Sequence, residues 1–167
     1  RAVYMQARYL EPDTTGRKYD NPSSVIAPHP RLAYPVPSGE RCRVLLVCEG
    51  LPDALTASQA GYRSVALLGA QTPDESVASR LANYAANHDL SIAIAADPDP
   101  AGRRLSATLT ELLGRQQVDA VSVMPPDGLD LNAWALVDPT WHQSIDQHLR
   151  SSPLVVADRL EVEGLGL

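Results

Sequence analysis

The residues of this chain that could do chemistry are carboxylates, and they come in three sets. Asp97 and Asp99 are separated by one proline in Ser91–Gly102, SIAIAADPDPAG. Glu49 and Asp53 share the segment Cys48-Glu49-Gly50-Leu51-Pro52-Asp53, and Asp130 and Asn132 close Pro126-Asp127-Gly128-Leu129-Asp130-Leu131-Asn132. Most have a plain structural reading when taken alone. Asp99 reads as a helix N-cap, Asp53 as a charge favoured in a first helical turn, with Glu49 merely solvated, and Asp130 with Asn132 as a turn bearing an Asx cap. Asp97 has no such reading, because a carboxylate at the mouth of a buried strand is costly unless a cation or hydrogen bonds offset it. Taken together, oxygen donors with no histidine or cysteine among them suit Mg²⁺ or Mn²⁺ and not zinc. Sites of that kind hold phosphate-bearing substrates and support phosphoryl chemistry.

The elements around these residues must bring them together. Ile92-Ala93-Ile94-Ala95-Ala96 reads as a buried strand. Pro98 keeps Asp97 extended, and side chains two apart on an extended chain point the same way, so Asp97 and Asp99 can face one crevice. Pro100 suits the first position of a helix, with Leu105, Leu109, Leu112 and Leu113 as its apolar face and Gly114 as its stop. Gly102 lets a backbone or a phosphate come close to that helix start. Before it, Val44–Cys48 reads as a buried strand, Pro52–Ala60 as a helix ended by Gly61, and Val65–Leu68 as a second strand. Thr72-Pro73-Asp74-Glu75 has capping-box spacing ahead of a helix showing Val77, Leu81 and Tyr84 on one face. After it come a strand at Val118–Met124 and helices at Leu131–Leu136 and Trp141–Leu149. Strands alternating with helices predict an α/β fold, a parallel sheet of about four strands flanked by helices. All three acidic sets then fall at the C-terminal ends of strands, where open α/β sheets bind ligands.

The chain has 167 residues, 44% of them hydrophobic, enough for one domain with a real core. No apolar run approaches the roughly 18 residues of a membrane helix, and no signal peptide is visible, so the expectation is a cytoplasmic protein without a membrane partner. The first residue is Arg1 and not Met, as in a fragment of a longer protein. A formal net charge of −6 argues against a broad basic surface for nucleic acid but leaves room for a local basic groove beside an acidic site. Cys42 and Cys48 are too few and wrongly spaced for a zinc knuckle and read as reduced thiols. Residues 1–40 read as an N-terminal extended or β arm: a strand over Val3–Leu10, a turn at Glu11–Gly16, a polar stretch around Lys18, the only lysine, and an irregular run with Pro28, Pro30 and Pro35. Residues 41–150 form the α/β domain, and 151–167 a C-terminal tail.

Val44–Gly50 with Asp53, followed by Asp97-x-Asp99-x-x-Gly102, resembles the Toprim domain, a Rossmann-like module of bacterial-type primases, topoisomerases and nucleases. The primase branch is the nearer one. Glu49–Leu55 resembles its Glu-Gly-x-x-Asp-Ala-Leu, Asp97–Arg103 its Asp-x-Asp-x-Ala-Gly-Arg, and Leu67-Leu68-Gly69-Ala70 its segment after the second strand. Arg17–Pro22 resembles the Pro-Lys-Tyr-x-Asn segment that precedes Toprim in primases, and Asp130-x-Asn132 the Asp-x-Asn of phage-type primases. The resemblance implies residues 1–40 as the tail of a polymerase subdomain, and it implies a catalytic-core fragment of a DNA primase from a phage or other mobile element. The reaction is then template-directed synthesis of an RNA primer with Mg²⁺ or Mn²⁺. It implies Glu49, Asp97 and Asp99 as catalytic and metal-binding residues, Asp53 and Asp130 as supporting metal positions, and Lys18, Tyr19, Asn21, Arg103 and Asn132 as contacts to nucleotide or template. Its partners are single-stranded DNA, ribonucleoside triphosphates and a replicative helicase. The rival readings are a Toprim nuclease that uses the same acids to cleave phosphodiesters, and a non-catalytic module that binds nucleic acid or a partner. No zinc-binding segment and no helicase accompany the motifs, and the tail after Arg150 matches nothing in primases.

Overall fold

Every side chain of Val44–Cys48 is apolar, and this strand lies at the centre of the sheet, buried along its whole length. The computed structural model describes residues 4–11, 16, 19–23, 25–68 and 72–152. Contacts divide the chain into two compact units, Arg1–Arg31 and Leu32–Leu167. In the first, β1 (Ala7–Arg8) pairs antiparallel with β2 (Tyr19–Asp20). Within Val3–Leu10, where the alternation predicts a strand, only Ala7–Arg8 is strand among the described residues. Asn21 Oδ1 accepts from the Tyr4 hydroxyl at 3.0 Å and from Gln6 Nε2 at 2.8 Å, which ties the two strands side by side.

The second unit carries a five-stranded sheet in the order β3-β5-β4-β6-β7. Its strands are β3 (Leu32–Ala33), β4 (Val44–Cys48), β5 (Arg63–Leu67), β6 (Ser91–Ala95) and β7 (Ala120–Val123). The last four are mutually parallel, as the alternation of elements predicts, and β3 adds a short antiparallel edge against β5. Helices α1 (Leu51–Gln59), α2 (Glu75–His88), α3 (Pro100–Arg115), α4 (Leu131–Val137) and α5 (Trp141–Ser151) cover the faces. Because strand side chains alternate, the sheet has two cores. Leu46, Cys48, Ala93 and Val121 pack with Ala54, Ala57, Leu131, Trp134 and Ile145 of α1, α4 and α5. Leu45, Val47, Ile92 and Ile94 pack with Val77, Leu81, Leu109 and Leu113 of α2 and α3. Each fully buried Leu, Ile or Val contributes about 1.5–3 kcal/mol by leaving water. Cys42 and Cys48 are free thiols, and burial raises both, Cys42 to about 11.

Two helix ends differ from the sequence reading. Asp74, not Thr72, caps α2: its side chain accepts from Val77 N at 3.0 Å, and the helix begins at Glu75. An aspartate next to the first helical residue reaches that N–H directly, which leaves Thr72 outside the helix. Gly114 does not stop α3 either. The helix runs to Arg115, and Gln117 takes the left-handed conformation at φ 61, its N–H bonded to Gly114 O at 3.0 Å.

The sheet order creates the crevice. From β4 the chain crosses by α1 to β5 on one side, then by α2, on the opposite face, to β6 on the other side. The order therefore reverses between β4 and β6, and at their C-terminal ends neither crossing helix fills the space. Cys48 pairs with Ala95 in parallel register, so Glu49 and Asp97 emerge together at that point.

Candidate active site

Glu49 follows the last residue of β4, and the Asp97 backbone N–H donates to its Oε2 at 3.3 Å. This bond pulls the glutamate toward the loop after β6. Burial raises the Glu49 pKa, the Asp97 bond opposes that, and the charges of Asp99 and Asp53 add to it. Asp97 is displaced further, up to about 6, first by burial and then by Glu49, Asp53, Asp130 and Asp99. The other four predicted carboxylates thus all act on Asp97, each making its ionised form less favourable.

The remaining acids are held by the helix starts. Asp99 is exposed and caps α3, with Oδ1 accepting from Ala101 N at 2.8 Å and Gly102 N at 2.7 Å. That turn requires glycine at 102: a Cβ there would stand 2.2 Å from the Asp97 carbonyl oxygen. Asp53, in the first turn of α1, is buried, and its Oδ1 accepts from Asn132 N at 3.0 Å. A Cβ at Gly50 would lie 2.9 Å from Asp53 Oδ2, so glycine here keeps the strand end clear for that carboxylate. Asp130 caps α4, accepting from Ala133 N at 2.6 Å. Asn132 sits one residue inside the same helix, its side-chain oxygen bonded to the Thr56 hydroxyl at 2.8 Å. Arg103 folds back so that its guanidinium donates to Pro98 O at 2.7 Å, bracing the loop between Asp97 and Asp99.

The structure therefore groups Glu49, Asp53, Asp97, Asp99 and Asp130 electrostatically, with Arg103 and Asn132 beside them. Tyr19 and Asn21 lie in the N-terminal unit, Tyr19 beneath the Arg8 guanidinium at 5.8 Å from its ring centre. Lys18, Gly69, Ala70 and the tail beyond 152 lie outside the described residues. Sequence reasoning missed Thr56. Its place one turn after Asp53 was visible, but its partner is 76 residues away.

The donor set fits a hard divalent cation. It is all oxygen, partly buried, and destabilised by its own charge at Asp97. Among the described residues no three His, Cys, Asp or Glu side chains converge tightly enough to cage a metal by themselves.

Comparison with known proteins places the fold. A family model described as Toprim-like matches residues 46–135. No curated protein matches the chain. Among solved structures, a DNA primase domain from Pseudomonas aeruginosa superposes with a TM-score of 0.66 at 22% identity, covering 87% of this chain and 46% of that one. The zinc-binding and RNA polymerase domains of the Aquifex aeolicus primase give 0.69 at 22% identity, covering 91% and 37%. The RNA polymerase domain of a Mycobacterium tuberculosis primase, in complex with double-stranded DNA, gives 0.57 at 21% identity, covering 80% and 44%. The chain spans less than half the length of each of these three.

Proposed function

We propose, from the premise that this chain belongs to the Toprim-like family, that it is the catalytic core of a DNA primase, joining ribonucleotides on a single-stranded DNA template. The observation that carries this reading is Asp97. It is raised to about 6 by burial and by four neighbouring carboxylates, at the point where the strand order reverses. A site so charged is built to receive a cation and the phosphates that come with it.

Asp97 and Asp99 would hold Mg²⁺ or Mn²⁺, with Glu49, Asp53 and Asp130 in support. A bound cation there neutralises triphosphate charge and lowers the pKa of an attacking hydroxyl. Glu49, half-buried and raised, is suited to accept the proton of the primer 3′-hydroxyl. Asp53 locks α1 to the start of α4, and Asp99 keeps the first turn of α3 in register with Asp97. Arg103 and Asn132 would supply contacts to nucleotide or template; Lys18, Tyr19 and Asn21, in the other unit, would separately do the same, and a replicative helicase is the expected protein partner. A cytoplasmic site of action follows from replication, and among the described residues no helix is long and apolar enough to cross a membrane.

The test is a priming assay run beside a nuclease assay, on this chain and on the full-length gene product. Glu49→Gln should lower priming by about 100-fold or more, the scale of a lost acid–base group. Metal-dependent strand cleavage without priming would assign the same acids to a nuclease. Neither activity in the full-length protein would leave a binding module.

A further inference from the structure

Besides the apolar packing between them, helix α1 is hydrogen-bonded to helix α4 twice at one residue, Asn132. Asp53 Oδ1 accepts the Asn132 backbone N–H at 3.0 Å, and the Thr56 hydroxyl donates to Asn132 Oδ1 at 2.8 Å. Asp53 and Thr56 lie three residues apart, on one side of α1. The first bond satisfies one of the backbone donors that a helix start leaves open. The second does something different, because it fixes a side chain that already has its backbone anchored.

A carboxamide presents an acceptor oxygen and a donor nitrogen on opposite edges of one planar group. With Oδ1 held toward α1 by Thr56, Nδ2 is turned away from α1. Among the described residues nothing accepts from Nδ2, and it is not a buried orphan. An amide donor set among carboxylates adds nothing to cation binding, since a cation needs oxygen. It does suit an anion drawn in by that cation, and the anion that fits is a phosphate oxygen.

We propose that Thr56 is a positioning residue: its hydroxyl sets the Asn132 carboxamide so that Nδ2 donates to a phosphate oxygen of a bound nucleotide, and Asn132 is not a ligand of the cation. This rests on the nucleotidyl-transfer reading above. It also separates two neighbours on α4, with Asp130 serving the cation and Asn132 the phosphate.

The experiment follows the Asn132 side-chain amide resonances in ¹⁵N-labelled protein without ligand, then measures binding of Mg²⁺–ATP and of Mn²⁺ alone. Thr56→Val keeps the shape and removes the hydroxyl. It should shift the Asn132 resonances, raise the Kd for Mg²⁺–ATP about three- to tenfold, the scale of one lost hydrogen bond, and leave Mn²⁺ affinity within about twofold. Thr56→Ser should restore wild-type behaviour. Asn132→Asp keeps an oxygen for Thr56 but replaces the donor with a charge; it should weaken Mg²⁺–ATP further without weakening Mn²⁺. Unshifted Asn132 resonances in Thr56→Val, or equal losses of ATP and Mn²⁺ affinity, would overturn the positioning role. Wild-type protein that fails to bind Mg²⁺–ATP would overturn the nucleotide reading itself, and the phosphate contact with it.

Discussion

The two ends of the sheet treat charge in opposite ways. Where the strands begin, Asp146 of α5 accepts from the Tyr62 hydroxyl at 2.6 Å and pairs with Arg41 at 3.0 Å. The Arg41 guanidinium also stands over the Tyr62 ring, 5.5 Å from its centre. Burial and the bond to Asp146 raise the Tyr62 hydroxyl, so it stays a donor. Where the strands finish, no arginine or lysine among the described residues forms an ion pair with Glu49, Asp97 or Asp99. The first cluster is electrically closed and fastens α5 to the starts of β4 and β5. At the second, Asp97 is raised to about 6 by burial and by its neighbouring carboxylates.

The strongest way to break this contrast is Gly102→Ala. The added Cβ meets backbone at 2.2 Å, which no side-chain rotation relieves. We expect a loss of about 3 kcal/mol or more in chemical denaturation, above the usual overpacking range. A variant of wild-type stability would show that the loop at Asp97 is not held against α3. Next comes Tyr62→Phe at the closed end, expected to cost about 1–2 kcal/mol because it leaves Asp146 short of a donor. It should leave divalent-cation binding unchanged, and a parallel loss of binding would mean the two ends are coupled.

The open end has its own signature in pH. Asp97 titrates near 6 when folded, above its ordinary range, so the folded state binds that proton more tightly than the unfolded state does. Stability of the metal-free protein should therefore rise as pH falls from about 7.5 to 5, and the destabilisation should be complete above the folded pKa. Full expression of the shift would be worth about 3 kcal/mol; for a half-exposed group, solvent screening leaves about 1 kcal/mol. The smallest effect is that of Glu49→Gln on the metal-free fold, which should be as stable as wild type or up to about 1 kcal/mol more so, with a shallower pH dependence. A variant that unfolds would make Glu49 a structural carboxylate held by the Asp97 N–H.

Local signals carried much of this structure. The four parallel strands, the Asp99 cap and the need for glycine at 102 each depend on residues within a few positions, so their types alone point to them. Helix ends were less legible, as Asp74 and Gln117 show, because neighbouring residues compete for the same cap. The features that join distant segments were not readable: the β3 edge against β5, the Thr56–Asn132 bond and the Tyr62–Asp146–Arg41 cluster. Threonine on a helix and tyrosine before a strand are unremarkable until the fold supplies their partners. The grouping of the carboxylates was the exception, because acids at three successive strand ends of a parallel sheet must lie along one edge.

The measurement that tests the open end most directly is a Mn²⁺ titration, reading free ion by electron paramagnetic resonance, of wild type and of Asp97→Asn/Asp99→Asn. Asparagine caps a helix about as well as aspartate, so the double variant should keep α3 intact while removing two charges. We expect weak Mn²⁺ binding by wild type, a loss of at least about tenfold in the variant, and a metal-free variant that melts no lower than wild type. Equal Mn²⁺ affinity in the two proteins would contradict the account and remove Asp97 and Asp99 from any cation site.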